Sequence, residues 1–395
     1  MNEAIVRVAA RGDGVTESGR HVAFAAPGDT VREDGSIEPG PHHARPPCRH
    51  FPECGGCQLQ HLDDNAFGLF LKDRIASALA AQGIAAPDIL DPHISPPVSR
   101  RRASLRAEAR GKQVLLGFNA EKSHRVIDMR ECFILRTELF ALVEPLRKLM
   151  GMLLGARGSG GVRMTLADQG ADILLEGVSA DGLEAAEALT TFAQTYRLAR
   201  LAIDDGYGPQ TRWEPEPVTI TLGGVPVPLP HGAFLQATEE GEAALVGAVR
   251  QAVGSATVTA DLFAGLGTFA LSLPGKILAA EGARDAALAL KSAANRAGRQ
   301  IFVDHRDLFR RPYDEKELGR FEAVVIDPPR AGAKEQVEIL ARSPVPRVAS
   351  VSCNPSTFAR DAKALLDGGY RLDWIKPVGQ FRWSTHVELA AAFSR

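Results

Sequence analysis

Apolar and polar positions alternate at the start of the chain, in IVRVAA and HVAFAA, around Gly12, Gly14, Gly19 and Gly28. This period of two predicts short strands joined by tight turns over residues 4–32. Pro39, Pro41, Pro46 and Pro47 then predict an extended linker leading into Cys48, with a boundary near residue 45. From 61 to 82 the spacing changes: Leu62, Phe67, Phe70, Leu71, Ile75 and Leu79 recur at helical intervals. The stretch SRRRASLRAEARGKQVLLGFNA alternates again and reads as paired strands. Segments 162–178, 199–204 and 217–229 read as further strands and 181–196 as an Ala/Leu-rich helix, so 61–228 forms an α+β region. After Pro230 short apolar runs (TVTADLF, GKILAAE, FEAVVIDPP, RVASVSC) are separated by helix-length segments. That alternation predicts a parallel sheet with helices on both faces, the doubly wound α/β class.

Composition narrows the picture. The chain has 395 residues, of which 45% are hydrophobic and 24% charged, values that exclude a disordered or fibrous protein. At about 150 residues per domain, two or three domains are expected. The start MNEAIVRVAARGDG has no leader-like apolar stretch, and no run of about 18 apolar residues occurs, so a cytoplasmic, reducing location is expected. The formal charge of -2 gives no general argument for a nucleic-acid partner. Arg100, Arg101, Arg102, Arg106, Arg110 and Lys112 nevertheless form one basic window, which by itself reads as a solvated strand face. Five cysteines, Cys48, Cys54, Cys57, Cys132 and Cys353, are better suited in a reducing compartment to metal binding or chemistry than to disulfides.

The C-terminal runs carry candidate chemistry at their ends. Asp261 closes the first and is followed by Gly265 and Gly267 and then an expected helix, a turn where backbone can approach a ligand. Glu281 follows Asp261 by twenty residues, the interval at which a carboxylate takes ribose hydroxyls in nucleotide-binding folds. Ala270 stands where a dinucleotide fingerprint has its third glycine, which disfavours a nicotinamide cofactor and leaves a nucleoside-bearing ligand without a pyrophosphate. Asp307 and Asp327 close two further runs, so four acids are expected around one crevice. Cys353 ends the last run at the head of a helix, a position that can lower a thiol's pKa and make it a nucleophile. Glu388, two residues after His386, is a second candidate.

DLFAGLGTF, IDPPRAG, SCNPSTFARD and THVE, in that order over 230–395, resemble the uridine-5 RNA methyltransferase family, and CRHFPECGGCQLQH resembles its iron-sulfur branch. The resemblance implies an enzyme that takes a methyl group from S-adenosylmethionine. It implies a Rossmann-like methyltransferase domain over 229–395, a central α+β domain over 61–228, a cluster loop over 46–60 and a shortened TRAM-like, RNA-binding β element over 1–45. In this reading Cys353 adds to carbon 6 of uracil, Glu388 removes the carbon 5 proton, and the uridine lies in a loop or is flipped out of its stack. Gln236, in HGAFLQAT, would contact cofactor or base, with Asp327 near the reacting groups. Cys48, Cys54 and Cys57 with Cys132 would hold a 4Fe-4S cluster; four thiolates also suit zinc, whose usual pattern is two paired knuckles. The implied substrate is 23S ribosomal RNA ahead of transfer RNA, the basic window is expected to face it, and a cytoplasmic monomer is expected.

Two positions depart from the family pattern: Phe381-Arg382-Trp383-Ser384 replaces a Phe-Pro sequence before the base, and Thr238 stands where an Asn is usual. Cytosine-5 methylation would call for a second cysteine after Asp-Pro-Pro, where this chain has Arg330. A non-catalytic iron-sulfur RNA-binding or assembly protein is opposed by the joint presence of Cys353 and Glu388.

Overall fold

A computed structural model describes residues 2–111 and 113–395; Lys112 of the basic window therefore lies outside the described residues. Near the N-terminus five short strands, Glu3–Val8, Gly14–Thr16, His21–Val22, Thr30–Val31 and Ile37–Glu38, form an antiparallel sheet. Its core is small, with Ile5, Ala25 and Val31 at its centre. The buried Asp29 carboxylate accepts the N–H groups of Ala26 and Gly40, both at 2.7 Å, and ties the last turn to the linker.

The central sheet has six strands in the order Gln210–Trp213, Arg200–Asp204, Gly170–Glu176, Ser159–Ala167, Arg102–Arg110 and Gln113–Gly117. All pairs are antiparallel except Gly170–Glu176 with Arg200–Asp204, whose parallel connection carries the helix Leu183–Thr195. That helix and Val143–Leu153 supply Leu189, Phe192, Leu146 and Met150 to one apolar layer with the inward side chains of the strands.

The largest sheet is built by the C-terminal part. Its strands run Ile301–His305, Lys276–Glu281, Val258–Leu262, Ala323–Ile326, Arg347–Ser352, Glu388–Ser394, Arg371–Gly379. The first five are parallel, and Glu388–Ser394 returns antiparallel between Arg347–Ser352 and Arg371–Gly379. Helices cover both faces: Asp64–Ala80, Lys334–Arg342 and Pro355–Asp367 on one, Glu239–Val253 and Arg284–Arg296 on the other. Burial on both faces explains why these strands read as unbroken apolar runs. Val258–Leu262 has parallel neighbours on its two sides that lead away in opposite directions, and a crevice opens beyond the strand ends at such a reversal.

The structure divides the chain differently from the expected 61–228 unit. The helix Asp64–Ala80 packs Phe67, Phe70, Leu71, Ile75 and Leu79 into the core of the large sheet. Asp88–Ile89 and His93–Ile94 pair in parallel with Arg371–Gly379, giving the edge strand's backbone groups partners. The ribbon Thr219–Leu222 and Val225–Pro228 joins the opposite face of the large sheet. The affinity of these segments is decided by contacts far away in sequence, which spacing alone does not carry. No helix among the described residues is long and apolar enough to cross a membrane.

Candidate active site

The strand ends converge on a crevice of about 830 Å³. Glu281, at the end of Lys276–Glu281, accepts the N–H of Gly265 at 2.7 Å and of Ala283 at 2.6 Å. Its carboxylate thus holds the loop after Val258–Leu262 against its own strand end, with lone pairs left for a ligand's hydroxyls. Asp307 accepts the N–H groups of Phe309 and Arg310 at 3.0 and 3.3 Å, which turns the half-exposed Phe309 toward Phe263, their rings 5.4 Å apart. Glu281, Asp307, Phe263 and Phe309 all line the crevice, so an acidic wall adjoins a pair of aromatic rings. Asp327, Cys353, Gln236 and Glu388 line it as well.

Asp261 and Gly267 do not line it, and here the sequence expectation is corrected. Asp261 is fully buried behind the loop, where one carboxylate oxygen accepts the Ala270 N–H at 2.8 Å and the other has no protein partner. Burial pushes its pKa up to about 8. Its role is to hold the loop from within. Gly267, at φ +95°, is a packing glycine: a Cβ there would come within 2.4 Å of Leu290 Cδ1. The helix expected after it is replaced by consecutive turns through residues 265–272.

Cys353 and Glu388 come from adjacent antiparallel strands. Ser352 pairs with Leu389, and one further step of this register sets Cys353 opposite Glu388. Pro355 opens the following helix and Asn354 caps it, accepting the Ser356 N–H at 3.1 Å, so the cysteine sits at the helix head as expected. The expected lowering of the thiol pKa is not found. Burial raises it, and the Glu388 and Asp327 carboxylates add to the rise while Arg330 opposes it. Burial pushes Glu388 up to about 8, reinforced by Asp327, and Asp327 itself up to about 7. Burial thus outweighs the nearby Arg102 and Arg330 and favours the protonated forms of Glu388, Asp327 and Cys353.

The basic window does not form one outward strip. The alternation of Arg102–Arg110 turns Arg106 and Arg110 to solvent, but Arg101 is buried and paired with Glu242 at 2.6 Å. Arg102 places its guanidinium 4.8 Å from the centre of the Phe234 ring, which lines the crevice. Arg100 lies over Phe118 and Phe381, at 5.7 and 5.4 Å. Three of the arginines thus serve contacts between sheets. Sequence reading missed Phe234, Phe263, Phe309 and Gln380, and it counted Arg102 in the basic window without placing it beside the crevice; for the aromatic residues the only local signal was their place inside the motifs already singled out.

Cys48, Cys54, Cys57 and Cys132 line a second, narrow cavity with Phe118, Met129 and Ile134. All four are free thiols whose pKa values are raised by burial, that of Cys57 to about 12. Gly55 permits the tight wrap, because its N–H donates to the Asn119 carbonyl at 2.9 Å and a Cβ would meet that oxygen at 2.8 Å. Arg100 is the cation facing Cys132, Cys57 and Cys54. Among the described residues no three or more His, Cys, Asp or Glu side chains are gathered as a metal site.

The two departures from the family pattern have structural roles. Thr238 caps the helix Glu239–Val253 and bonds Ser95 Oγ at 2.7 Å, and is not part of the crevice lining. Trp383, at φ +59°, is buried with Cys57 and Ile134, and its carbonyl accepts the N–H groups of Gln58 and Leu59, both at 2.8 Å. Arg382 donates to the Ser95 carbonyl at 3.1 Å and pairs with Asp64. The loop before Glu388 is thereby fastened to the cysteine loop.

Residues 234–395 match the family model described as tRNA (uracil-5-)-methyltransferase. An uncharacterised RNA methyltransferase of Zymomonas mobilis is 53% identical over 393 residues, 99% of each chain. A 23S rRNA (uracil(1939)-C(5))-methyltransferase of Shewanella frigidimarina is 30% identical over 377 residues, covering 88% of this chain and 82% of that one. Among solved structures, a Pyrococcus abyssi tRNA (uracil-54, C5)-methyltransferase in complex with S-adenosyl-L-homocysteine superposes with a TM-score of 0.75, covering 100% of both chains at 22% identity, which shows a shared fold.

Proposed function

The chain belongs to the family of RNA uracil-5 methyltransferases, and from that premise we propose that it methylates carbon 5 of one uridine in 23S ribosomal RNA through a covalent cysteine adduct. The observation that carries this reading is that Cys353, one step past the Ser352–Leu389 pair, stands opposite the buried Glu388 in the lining of an acid-walled crevice. The residues fit S-adenosylmethionine: Glu281 offers acceptors to ribose hydroxyls, Phe263 and Phe309 offer an aromatic wall to a base, and the raised carboxyls of Asp327 and Glu388 suit a ligand that brings positive charge. When bound, the cofactor supplies an electrophilic methyl group on a sulfonium.

Cys353, as thiolate, adds to carbon 6 of the uracil ring; the new S–C bond breaks the C5–C6 double bond and places its electron pair on carbon 5. Carbon 5 takes the methyl group, and the sulfonium's bonding pair stays on sulfur. Glu388 then removes the proton from carbon 5, the double bond re-forms and the thiolate leaves. Buried next to Asp327, Glu388 holds a proton tightly in the ligand-free protein, and positive charge in the crevice favours its ionised, proton-accepting form. Arg102, whose guanidinium faces Glu388, favours the same form. A base held in a stack is out of reach of Cys353, so the target is read as flipped into the crevice beside Phe234.

The four N-terminal cysteines belong to the same proposal as ligands of a 4Fe-4S cluster. Four thiols lining one cavity, with the part-buried Arg100 facing three of them, form a ligand set of the right chemistry for it, and the methyl transfer needs no electron from such a group. Iron and sulfide analysis of anaerobically purified protein, with broad absorption near about 400 nm, is the expected result; stoichiometric zinc without iron rejects the assignment. The function itself is tested by incubation with labelled S-adenosylmethionine and unmodified ribosomal or transfer RNA, followed by nucleoside analysis. Label in 5-methyluridine of 23S RNA is expected, label only in transfer RNA reassigns the substrate, and no 5-methyluridine in either ends the reading.

A further inference from the structure

Gln380 follows the strand Arg371–Gly379 and is 1% exposed. The backbone N–H of Ala237 donates to its side-chain Oε1 at 2.7 Å. A backbone N–H can only donate, so the Gln380 carbonyl must face it and Nε2 must point the other way. There Nε2 donates to Oε1 of Gln236 at 2.6 Å. The same reasoning passes to Gln236: its acceptor is used inward, and its own Nε2, with two N–H groups, turns toward the crevice that Gln236 lines. Flipping either amide would set donor against donor in a buried place, which costs a lost hydrogen bond on each side.

The backbone leaves Gln236 no other way to adjust. Its carbonyl accepts from Arg101 Nε at 3.1 Å, and the Arg101 N–H donates to the Ala237 carbonyl at 2.9 Å. Arg101 is itself held by Glu242. The Gln380 amide also faces Glu388 and favours its ionised form; the other groups facing Glu388 are Asp327, Arg102 and Cys353.

We propose that Gln380 is a positioning residue that sets the polarity of the crevice wall: it fixes Gln236 as a donor toward the ligand, so that this wall takes an acceptor oxygen and disfavours an amine. Two oxygens share that chemistry, the carboxylate of an amino-acid-bearing cofactor and a ring carbonyl of the pyrimidine. Uracil carries a carbonyl at carbon 4 where cytosine carries an amino group, so in the second case the relay separates the two bases. The inference rests on the function proposed above.

Two variants of the full-length protein test it, each checked for folding by circular dichroism. Gln236→Glu keeps an acceptor for Gln380 and replaces the outward N–H groups with a carboxylate oxygen. At least about a tenfold loss of S-adenosylhomocysteine affinity by calorimetry assigns the cofactor carboxylate; the same loss in kcat/KM for RNA with that affinity kept assigns the pyrimidine carbonyl. Gln380→Met removes the donor to Gln236 and with it the amide that faces Glu388, and the acidic limb of the kcat/KM profile is expected to move up by about one pH unit, a shift that general loosening would not produce. The inference is overturned if Gln236→Glu stays within about twofold of wild type on both measures, or if the limb in Gln380→Met does not move. Wild-type protein that methylates no uridine, while Gln236→Glu still loses S-adenosylhomocysteine affinity, ends the functional reading and leaves the donor assignment standing.

Discussion

The cysteine cavity and the acid-lined crevice share one physical device and differ in what they wait for. Each gathers ionisable groups out of water, so that burial raises their pKa values and keeps them protonated: thiols in the first, up to about 12 for Cys57, carboxyls in the second, up to about 8 for Glu388. The cavity is narrow, with His50, Gln60 and Glu131 among its thiols and apolar side chains, and the Arg100 cation faces three of the thiols from outside this lining. The crevice is large enough for a nucleoside-bearing ligand, and Arg284 and Arg330 are among the residues that line it. A site built of thiols beside a fixed cation suits a permanent occupant, whereas one of protonated acids suits a cation that comes and goes. Both are fastened to the same loop, because Phe381 lies under Arg100, Trp383 is buried with Cys57, and Glu388 follows five residues later.

The comparison breaks first at the nucleophile. Cys353→Ala is expected to lower methyl transfer by about 10⁴-fold or more while S-adenosylhomocysteine binding stays unchanged; single-turnover assays and calorimetry read the two separately. Glu388→Gln comes next, with a loss of about 10²- to 10⁴-fold. Because the base acts after the methyl group has moved, this variant should accumulate protein linked to RNA, seen as a band resistant to denaturing electrophoresis; equal loss without that band would reject the role of Glu388.

Trp383→Ala attacks the shared loop. Removing a buried ring there is expected to lower stability by about 3 kcal/mol in denaturant melts. If the loop couples the sites, the variant also lowers transfer and destabilises the cysteine site, and a pure stability loss would show that the two are independent. The smallest effect is one of pH. Rising pH ionises Asp327 and Glu388, whose values lie near about 7 and about 8, so affinity for the sulfonium cofactor should rise about tenfold from pH 6 to 8. S-adenosylhomocysteine, which lacks the sulfonium charge, should respond less. In the ligand-free protein the sign is reversed: these carboxyls, with Asp261, have folded values above their unfolded ones, so their contribution to stability is full at low pH and is lost as pH rises to about 8. A melting temperature that falls over this window without cofactor and less steeply with it is the expected result.

Much of the candidate site was legible along the chain because parallel strands buried on both faces leave continuous apolar runs, and what stands just past each run must face the crevice or the loop behind it. Glu281, Asp307, Asp327 and Cys353 were found in this way. The same rule could not separate Asp261, which holds the loop from inside, from its neighbours, since both kinds of acid close a run. Nor could it tell that Arg101 and Arg102 turn inward, because a strand's alternation says which residues share a face and not which face is covered. Gln380 left no signal at all: its importance lies in two amides, at 236 and 380, meeting across the fold.

By itself the sequence determined the order of elements, the doubly wound C-terminal sheet, the cysteine and carboxylate at its strand ends, and the grouping of three cysteines in one loop. These follow from local periodicity and from residue types whose chemistry is fixed. Only the tertiary structure decided that the helix Asp64–Ala80 joins the large sheet, that Cys132 lines the same cavity as the other three cysteines, that burial raises the pKa values of Glu388 and of the thiols, and that Gln236 accepts from Gln380. Desolvation and hydrogen-bond direction depend on what packs against a group, and those neighbours come from parts of the chain far apart in sequence.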